Sequence, residues 1–365
     1  MRLSGRRVWV MAKGFAPDEG GQQMYAEQVA LAYQRVGASV TVFTQTSAGP
    51  RRAMHHGMTL IDMGAGKSAL TLFKWIGALR RELRTSGKPD FLHATTWRTS
   101  VPPMLLGLKC ATTFHGREFM YVRGIAEQVL RRVARRASPL IAVSHYSGEK
   151  LKERLGKDVS SPVIAWNGTS VNPQPRLTAG DGTLNIMTLC RLEPRKNILA
   201  ALKAVTLLKQ SGLAFQYRIC GRGPDYQMLC DYIADRDLKS NVQMLGFVTG
   251  AQVRQLYAQA DIFLHPQIAL DEGRDFEGFG IVIADAMLAG CAAIVGCEGG
   301  PAELVEDGIS GLIVDGRSVD VIAAALQTMI SDANARQKMA NAGREYVAKT
   351  MTWDRHAALI LDARA

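Results

Sequence analysis

The chain has 365 residues, of which 47% are hydrophobic and 21% charged, a composition typical of folded proteins and not of disordered ones. This length exceeds one typical core and predicts two domains of ordinary size. The longest apolar run near the start, residues 8–12, is interrupted by Lys13 and Gly14 and is too short for a membrane span or a signal-peptide core. We therefore expect a cytoplasmic protein.

The positive charge is concentrated in the first half of the chain. The formal net charge is +11, but residues 1–180 hold 26 Lys and Arg against 11 Asp and Glu, whereas residues 181–365 hold 18 against 22. Such asymmetry predicts that the first half faces a polyanion or a membrane surface.

The six cysteines suggest a reducing environment. They form no Cys-x-x-Cys pair, and most lie in apolar or glycine-flanked segments that resemble strands. Free cysteines are among the most buried residue types, so we expect reduced and mostly buried thiols.

The first half alternates short apolar segments with longer helix-like ones. Residues 14–21 form a glycine-containing turn, and a helix is predicted from Gln22 to about Val36. A strand, a glycine-rich turn and a helix form the unit of nucleotide-binding α/β domains. The sequence therefore predicts a parallel sheet with strands at 7–11, 39–44, 91–94, 110–114 and 140–143.

A linker at 167–182, interrupted by Pro173, Pro175, Gly180 and Gly182, separates this half from a second alternation. The second-half strands are predicted at 184–189, 216–220, 242–244, 262–265, 292–295 and 311–314. We predict two α/β domains, 1–172 and 173–345, with parallel sheets facing a central cleft, and a terminal helix in 346–365 that crosses back to the first domain. Ligands of such sheets bind at the carboxyl ends of the strands.

An acidic segment in the second half combines two carboxylates with a small-residue turn. Glu277 precedes the turn, and Asp285 is predicted about two turns into the following helix. The backbone N–H groups of such a turn and the positive end of the helix attract an anion. The segment predicts a site that holds a sugar and a phosphate together, at Gly278, Phe279, Gly280 and Ile281.

A basic turn follows the predicted strand at 184–189. Arg191 and Lys196 lie five residues apart in it, where two fixed cations would hold a diphosphate and stabilise a departing phosphate without a metal. From these residues alone, a solvated basic turn is an equally good interpretation.

Several smaller signals follow other predicted strands. Gly20 and Gly21 begin a helix, where their N–H groups would meet an anion, and Gly221, Gly223 and Val248 lie in turns where main-chain atoms would approach a flat base. Such glycines are common in ordinary turns, so both interpretations stay open. His115 ends a predicted strand, and a single histidine in such a place is more often structural.

Taken together, these segments resemble retaining glycosyltransferases of family 4. The basic turn resembles the R-L-x-x-x-K-N pattern of that family, Glu277 and Asp285 its acidic signature, His115-Gly116 its active-site histidine segment, and Gly299 to Glu303 its G-G-x-x-E turn. The resemblance covers nearly the whole chain and is strongest from Leu189 to Val314. Two positions depart from the family, with Cys190 in place of a frequent glycine and Asp285 in place of the usual glutamate.

The resemblance implies a GT-B fold and a hexose transfer with retention, from a nucleotide-diphosphate sugar such as GDP-mannose or a UDP-hexose. The acceptor would be a lipid-linked, lipopolysaccharide or exopolysaccharide saccharide. It implies catalytic roles for His115, Arg191, Lys196 and Glu277, a ribose contact for Asp285, and a place beside the diphosphate for Glu303. No cofactor other than this co-substrate and no metal are expected.

Two basic amphipathic helices in the first half are candidates for membrane contact. Residues 72–83 and 124–137 each place an apolar stripe beside a group of arginines, a pattern that suits the anionic inner leaflet of a cell membrane. The alternative is that the stripes face the core and the arginines face solvent. We do not expect a nucleic-acid partner, because no recognition motif accompanies the charge.

Two other classes of function, one enzymatic and one non-catalytic, remain open from the sequence. A sugar phosphorylase or nucleotide-sugar epimerase would use a similar fold, and a non-catalytic binding protein would keep the site without turnover. Measuring the products with and without acceptor separates these alternatives from transfer.

Overall fold

The computed structural model describes residues 4–18, 20–66, 69–157, 159–176 and 183–363. Glu19 of the predicted glycine turn and residues 177–182 of the predicted linker lie outside these ranges. The chain divides into two compact units, the first formed by 1–168 with 353–365 and the second by 169–352. The sequence predicts these boundaries at 172/173 and at 346.

The first unit is an α/β domain whose strands are short apolar segments between helices. Its strands in the described residues are β1 Arg7–Met11, β2 Ser39–Thr44, β3 Pro50–His55, β4 Met58–Met63, β5 Phe91–Ala94, β6 Cys110–Phe114, β7 Ala137–Ala142 and β8 Val163–Ile164. Its helices up to the unit boundary are α1 Gly21–Arg35, α2 Ala69–Ser86, α3 Val101–Leu105, α4 Arg117–Met120, α5 Ile125–Arg136 and α6 His145–Leu155.

The strands of the first unit form one sheet in the order β3-β4-β2-β1-β5-β6-β7-β8. The inner strands are parallel, with Arg7 of β1 opposite Ser39 of β2 and Val8 opposite Phe91 of β5. The predicted parallel sheet is confirmed, and one antiparallel pair, β3 with β4, extends it at one edge. A two-residue turn joins these strands, and such a tight turn allows only antiparallel pairing.

The second unit contains a fully parallel sheet in the order β11-β10-β9-β12-β13-β14. The strands are β9 Leu184–Leu189, β10 Phe215–Cys220, β11 Val242–Gly246, β12 Ile262–His265, β13 Ala292–Gly296 and β14 Gly311–Val314. The helices are α7 Ile198–Gln210, α8 Tyr226–Asp235, α9 Gly250–Gln259, α10 Ile281–Leu288, α11 Val319–Ser331 and α12 Ala333–Thr350. The strand order reverses direction beside β9, as in doubly wound nucleotide-binding domains. The predicted strands of both halves are confirmed, with small shifts at their ends.

The last helix, α13 Trp353–Asp362, belongs to the first unit. Trp353 is buried, and its ring lies 5.5 Å from that of Tyr25 on α1. Arg35 of α1 forms an ion pair of 2.7 Å with Asp354. An apolar contact and an ion pair therefore attach the end of the chain to α1.

The two basic helices bury part of their apolar stripes. Trp75 and Leu79 of α2 and Leu130 of α5 lie in the core, which supports the structural interpretation for these residues. The N-terminal part of α2 is different, because Phe73 is 69% exposed. In the described part of the chain, each helix is too short or too polar to cross a bilayer.

The cysteines are free, and four of the six are buried. Burial raises the pKa of the Cys190 thiol to about 12, and the pKa of the Cys110 thiol is raised to the same value by the same cause. The predicted burial of most thiols is confirmed.

Candidate active site

Two cations and a carboxylate meet at the carboxyl ends of β9 and β12 in the second unit. Lys196 and Arg195 both bind Glu277: the Lys196 ammonium donates to Oε2, and Arg195 Nη1 lies 2.9 Å from the same oxygen. The two cations belong to a short 3₁₀ turn, Pro194–Lys196, that follows β9. We name Arg195, Lys196 and Glu277 the charged cluster.

Local backbone contacts fix the turn that carries the cations. Asn197 closes it in the left-handed region, with φ of 59°. Its side-chain amide donates to the carbonyl of Pro266 at 3.1 Å and to that of Gly316 at 2.6 Å. These bonds explain why an asparagine follows the lysine: it tolerates positive φ and satisfies two carbonyls of neighbouring loops.

Opposite charge keeps Glu277 ionised despite its burial. Burial alone would raise the pKa of this carboxyl group, but the charges of Lys196 and Arg195 outweigh it and lower the pKa to about 2. Lys196 also lies 3.4 Å from His265 Nε2. Burial, with the nearby Lys196 charge, lowers the pKa of His265 to about 4, so this imidazole is neutral at pH 7.

Arg191 lies apart from the charged cluster. Its side chain is 74% exposed and pairs with Glu193 at 3.0 Å. Glu193 also pairs with Arg195 at 3.2 Å, so one carboxylate links the exposed cation to the buried one. The structure thus joins Lys196 to Glu277 and leaves the guanidinium of Arg191 at the surface of the same turn.

Two predicted glycines, Gly221 and Gly223, pack directly against the backbone of the basic turn. A Cβ at Gly221 would lie 1.8 Å from the carbonyl oxygen of Cys190, and one at Gly223 would lie 2.1 Å from that of Leu192. Larger residues would therefore displace the segment that leads to Lys196. Val248, also predicted in such a turn, is half-buried between β11 and α9.

The acidic segment forms a turn that enters α10. Gly278 and Ile281 are half-buried, Phe279 is buried, and Gly280 precedes the first helical residue with φ of 92°. Because the helix begins at Ile281, Asp285 lies about one turn into it, so the prediction of two turns is wrong. Glu303 is half-buried in the 3₁₀ helix Gly300–Leu304, and Gly300 N–H donates to the carbonyl of Glu277 at 3.0 Å.

Asp285 is engaged within the protein. Its carboxylate accepts a hydrogen bond of 2.6 Å from the backbone N–H of Ser170 and one of 2.5 Å from the Ser170 hydroxyl. Burial raises the pKa of Asp285 to about 6, although these hydrogen bonds act in the opposite direction. The ribose contact implied by the family resemblance stays a prediction beside this structural role.

The remaining predicted residues lie in the first unit. Gly20 and Gly21 are exposed at the start of α1. His115 directly follows β6, and its Nε2 lies 2.7 Å from the carbonyl of Thr95. A carbonyl only accepts, so Nε2 carries the proton and Nδ1 of the neutral ring is an acceptor. Burial lowers the pKa of His115 to about 4, which keeps the ring neutral at pH 7.

A chain of neutral polar groups lies beside His115. The Tyr25 ring packs edge-on against that of His115, with centroids 4.6 Å apart. The Tyr25 hydroxyl lies 2.9 Å from Thr113 Oγ1 and 2.9 Å from His356 Nε2. His93 Nε2 lies 2.8 Å from the same threonine oxygen. We name Tyr25, His93, Thr113 and His356 the neutral network.

Sequence reasoning missed Arg195 and His265. Arg195 is adjacent to the predicted Lys196, and the signal available was its place inside the basic turn. His265 ends a predicted strand, the same signal that identified His115. A cavity of about 460 Å³ in the first unit was also not predicted, and its lining includes Arg98, Arg117 and Arg123.

Comparison with known families gives a class to this fold and site. The family description "Glycosyltransferase Family 4" matches residues 19–172, and "Glycosyl transferases group 1" matches residues 175–346. The chain belongs to this family of GT-B glycosyltransferases, which confirms the resemblance stated from the motifs.

Particular relatives refine this class. The chain is 30% identical over 259 residues to the GDP-mannose-dependent alpha-(1-6)-phosphatidylinositol monomannoside mannosyltransferase of Mycobacterium tuberculosis (strain ATCC 25618 / H37Rv), covering 68% of this chain and 67% of that protein. It is 29% identical over 237 residues to the putative colanic acid biosynthesis glycosyltransferase WcaL of Escherichia coli (strain K12), covering 61% of this chain and 56% of that protein.

A solved structure shows the same fold. Anabaena Alr3699/HepE in complex with UDP-glucose superposes with a TM-score of 0.77 over 98% of each chain, at 17% sequence identity. At this identity the likeness concerns the fold alone.

Proposed function

We propose that this glycosyltransferase moves a hexose from a nucleotide-diphosphate sugar to a lipid-linked or polysaccharide acceptor, with retention at the anomeric carbon. The observation that carries the proposal is the charged cluster, in which two cations share one carboxylate. Although Arg195 also pairs with Glu193 and lies 3.4 Å from Asp275, both cations are fixed at a strand end, where they suit a diphosphate.

The cluster suggests a division of roles during transfer. Lys196 and Arg195 hold the diphosphate, and their charges stabilise the nucleoside diphosphate as it departs. Glu277 remains ionised because its pKa is about 2, so it accepts hydrogen bonds from hydroxyls of the hexose. Arg191, exposed on the same turn, closes on the phosphates from the solvent side. These cations take the part that a metal plays elsewhere, so transfer proceeds without one.

His115 suits a contact with the neutral part of the substrates. Its Nε2 is engaged by Thr95, which leaves Nδ1 as the acceptor for a sugar hydroxyl. Gly20 and Gly21 at the start of α1 offer backbone N–H groups to a phosphate.

The donor is a GDP-mannose or a UDP-hexose. The mycobacterial relative is named as dependent on GDP-mannose, which favours the former. A structure of similar fold holds UDP-glucose, so a UDP-hexose remains the second donor to be assayed.

A lipid-linked acceptor agrees with the chemistry of the first unit. The cavity lined by Arg98, Arg117 and Arg123 suits a phosphate group. Phe73 and Leu70 are exposed on α2 beside Lys74, an arrangement that favours contact with an anionic membrane surface. We propose a cytoplasmic protein attached to the inner face of the membrane, with no nucleic-acid partner.

Product analysis tests the proposal. The purified chain is incubated with GDP-mannose or UDP-glucose, with and without phosphatidylinositol mannoside or an exopolysaccharide repeat unit, and the anomeric proton of the product is followed by NMR. We expect transfer only with acceptor, an α-linked product from an α-linked donor, and little change in chelator. A β-linked product would refute retention. Conversion of the donor without acceptor would favour an epimerase, and binding without conversion a non-catalytic protein.

A further inference from the structure

Three side chains able to bind a metal meet on the first unit. Glu27 lies on α1, His55 ends β3, and His56 lies in the turn that joins β3 to β4. One ligand atom from each residue lies within 4.8 Å of the others. We propose that Glu27, His55 and His56 form a binding site for a divalent transition-metal ion of the zinc class.

The distance between two of the ligand atoms is close to that required. His55 Nε2 and Glu27 Oε1 lie 2.6 Å apart. Zinc bonds of about 2.0–2.1 Å at a tetrahedral angle place two ligand atoms roughly 3.3 Å apart. The pair therefore opens by less than about 1 Å to admit the ion. The hydrogen bond between nitrogen and oxygen opens, the neutral imidazole carries its single proton on Nδ1, and the lone pairs of Nε2 and of the carboxylate then bind the metal.

The surrounding structure holds the ligands in place. His56 and Gly57 have φ of 46° and 79°, the backbone of a tight two-residue hairpin turn. Gln34 of α1 donates from its side-chain amide to the carbonyl of His56 at 2.7 Å. The buried Phe15 packs against the ring of His55, with centroids 5.3 Å apart. Contacts to α1 and to Phe15 thus order the turn before any ion binds.

The ligand types decide which ions fit. Two imidazoles and one carboxylate suit zinc, cobalt and nickel, whereas magnesium and calcium prefer sites made of oxygen ligands. His56 is exposed, so a fourth position remains for water, as in open zinc sites. Bound metal would link α1 to the β3–β4 hairpin and stabilise the first unit. The site does not depend on the proposed transfer reaction.

Metal binding is measured on the full chain, freed of any affinity tag and stripped with chelator. Zn²⁺ is titrated by calorimetry, and Co²⁺ is added separately to record its visible absorption spectrum. We expect one equivalent of each ion to bind, a Co²⁺ spectrum of a four- or five-coordinate site, and a higher thermal midpoint with Zn²⁺ but not with Mg²⁺.

Two variants that preserve the local structure complete the test. Glu27→Gln keeps the shape of the side chain, and His56→Asn keeps a residue that tolerates positive φ. Each should weaken Zn²⁺ binding by at least about 100-fold, since loss of even an outer-shell partner costs about 10–100-fold. His145→Ala, at another exposed histidine, should leave affinity unchanged. Absence of saturable Zn²⁺ binding, or equal affinity in wild type and both variants, would overturn the proposal.

Discussion

The charged cluster of the second unit and the neutral network of the first unit differ in the charge of their polar groups. In the second unit, the charged cluster brings together ionised groups, and the pKa of Glu277 is held at about 2 by its cations. In the first unit, the neutral network joins hydroxyls and imidazoles. Burial lowers the pKa of His356 to about 4, so this ring stays neutral at pH 7.

The difference matches two kinds of ligand. Fixed charges suit the diphosphate of a nucleotide sugar, which is esterified at both ends and keeps its charge near pH 7, and they stabilise a leaving group that gains negative charge. Neutral hydrogen-bond donors and acceptors suit sugar hydroxyls, because an uncharged hydroxyl is bound through oriented hydrogen bonds and not through the electrostatic field of a charged group. We infer that the charged cluster of the second unit makes the main contacts to the donor diphosphate and that the neutral network of the first unit orients sugar hydroxyls around His115.

Removing the lysine of the charged cluster should have the largest effect. Lys196→Ala should lower turnover by at least ~10²-fold, because a fixed charge that stabilises the departing diphosphate is lost. The measurement is initial-rate kinetics at saturating donor. Lys203→Ala, at an exposed lysine of α7, is the matched control and should behave as wild type. Near-native turnover in Lys196→Ala would show that this cation does not act on the leaving group.

Arg191 offers a comparison within the same turn. Its exposed guanidinium must close on the phosphates to act, and Arg191→Ala should then also lower turnover by ~10²-fold, as expected for a second transition-state charge. An effect of Arg195→Ala with none of Arg191→Ala would place the second phosphate contact on the buried arginine instead.

The next largest effect is expected on donor binding, when the carboxylate of Asp285 is removed. Asp285→Ala should raise the donor KM roughly ten- to a hundredfold, since a hydrogen bond to a charged group contributes about 1.5–3 kcal/mol. Ser170→Ala removes a partner of the same carboxylate and should lower stability without that change in KM. Equal donor KM values for wild type and Asp285→Ala would assign Asp285 to structure alone. Asp285→Glu reports whether the pocket accepts the side chain usual in the family.

Stability should fall in acid through the first unit. The unfolded His356 imidazole takes up a proton below pH 6.5, whereas the folded one does so only near pH 4. The buried neutral His356 therefore adds its full contribution to the free energy of unfolding above pH 6.5. This contribution declines as the pH falls from 6.5 to 4, and at pH 5 the free energy of unfolding is lower by about 2 kcal/mol.

Fluorescence isolates this effect, because all five tryptophans belong to the first unit, as Trp9, Trp75, Trp97, Trp166 and Trp353. Urea unfolding followed by tryptophan emission should show lower stability at pH 5 than at pH 7.5. The slope with pH should be smaller in His356→Gln. A flat profile for wild type would mean that the folded network accepts protons.

The smallest change is expected in the pH dependence of the donor KM. Neither Glu277, with a pKa of about 2, nor His115, with a pKa of about 4, titrates between pH 7.5 and 5.5. Asp285 has a pKa of about 6, inside this range, so the prediction applies to Asp285→Ala, whose donor KM should vary by less than about twofold between these pH values. A steep change centred near pH 6.5 would indicate an ionising histidine in donor binding.

The sequence predicted the sheets well because most strands are apolar runs bounded by glycine, proline or helix. It missed β3, β4 and β8; β3 includes Arg51 and Arg52 and lies at an exposed edge of the sheet. Edge strands carry charged residues, so periodicity does not reveal them.

The sequence predicts only part of the candidate active site, because some of its contacts are set by tertiary packing. Motifs identified Lys196 and Glu277, but spacing does not show which of two adjacent cations points inward, and so Arg195 was missed. The partnership of Asp285 with Ser170 spans 115 positions, and that of Glu27 with His55 spans 28. Contacts of this kind depend on tertiary packing, which leaves no local pattern in the sequence.

Calorimetric titration of GDP and of UDP into wild type, Lys196→Ala and His115→Ala tests the division between the units most directly. We expect Lys196→Ala to weaken binding of the preferred nucleotide by at least about tenfold, the effect of losing a charge-assisted hydrogen bond. His115→Ala should change that affinity by less than about twofold, because the nucleotide lacks the hexose. Unchanged affinity in Lys196→Ala, or a large loss in His115→Ala, would contradict the assignment of the diphosphate to the charged cluster.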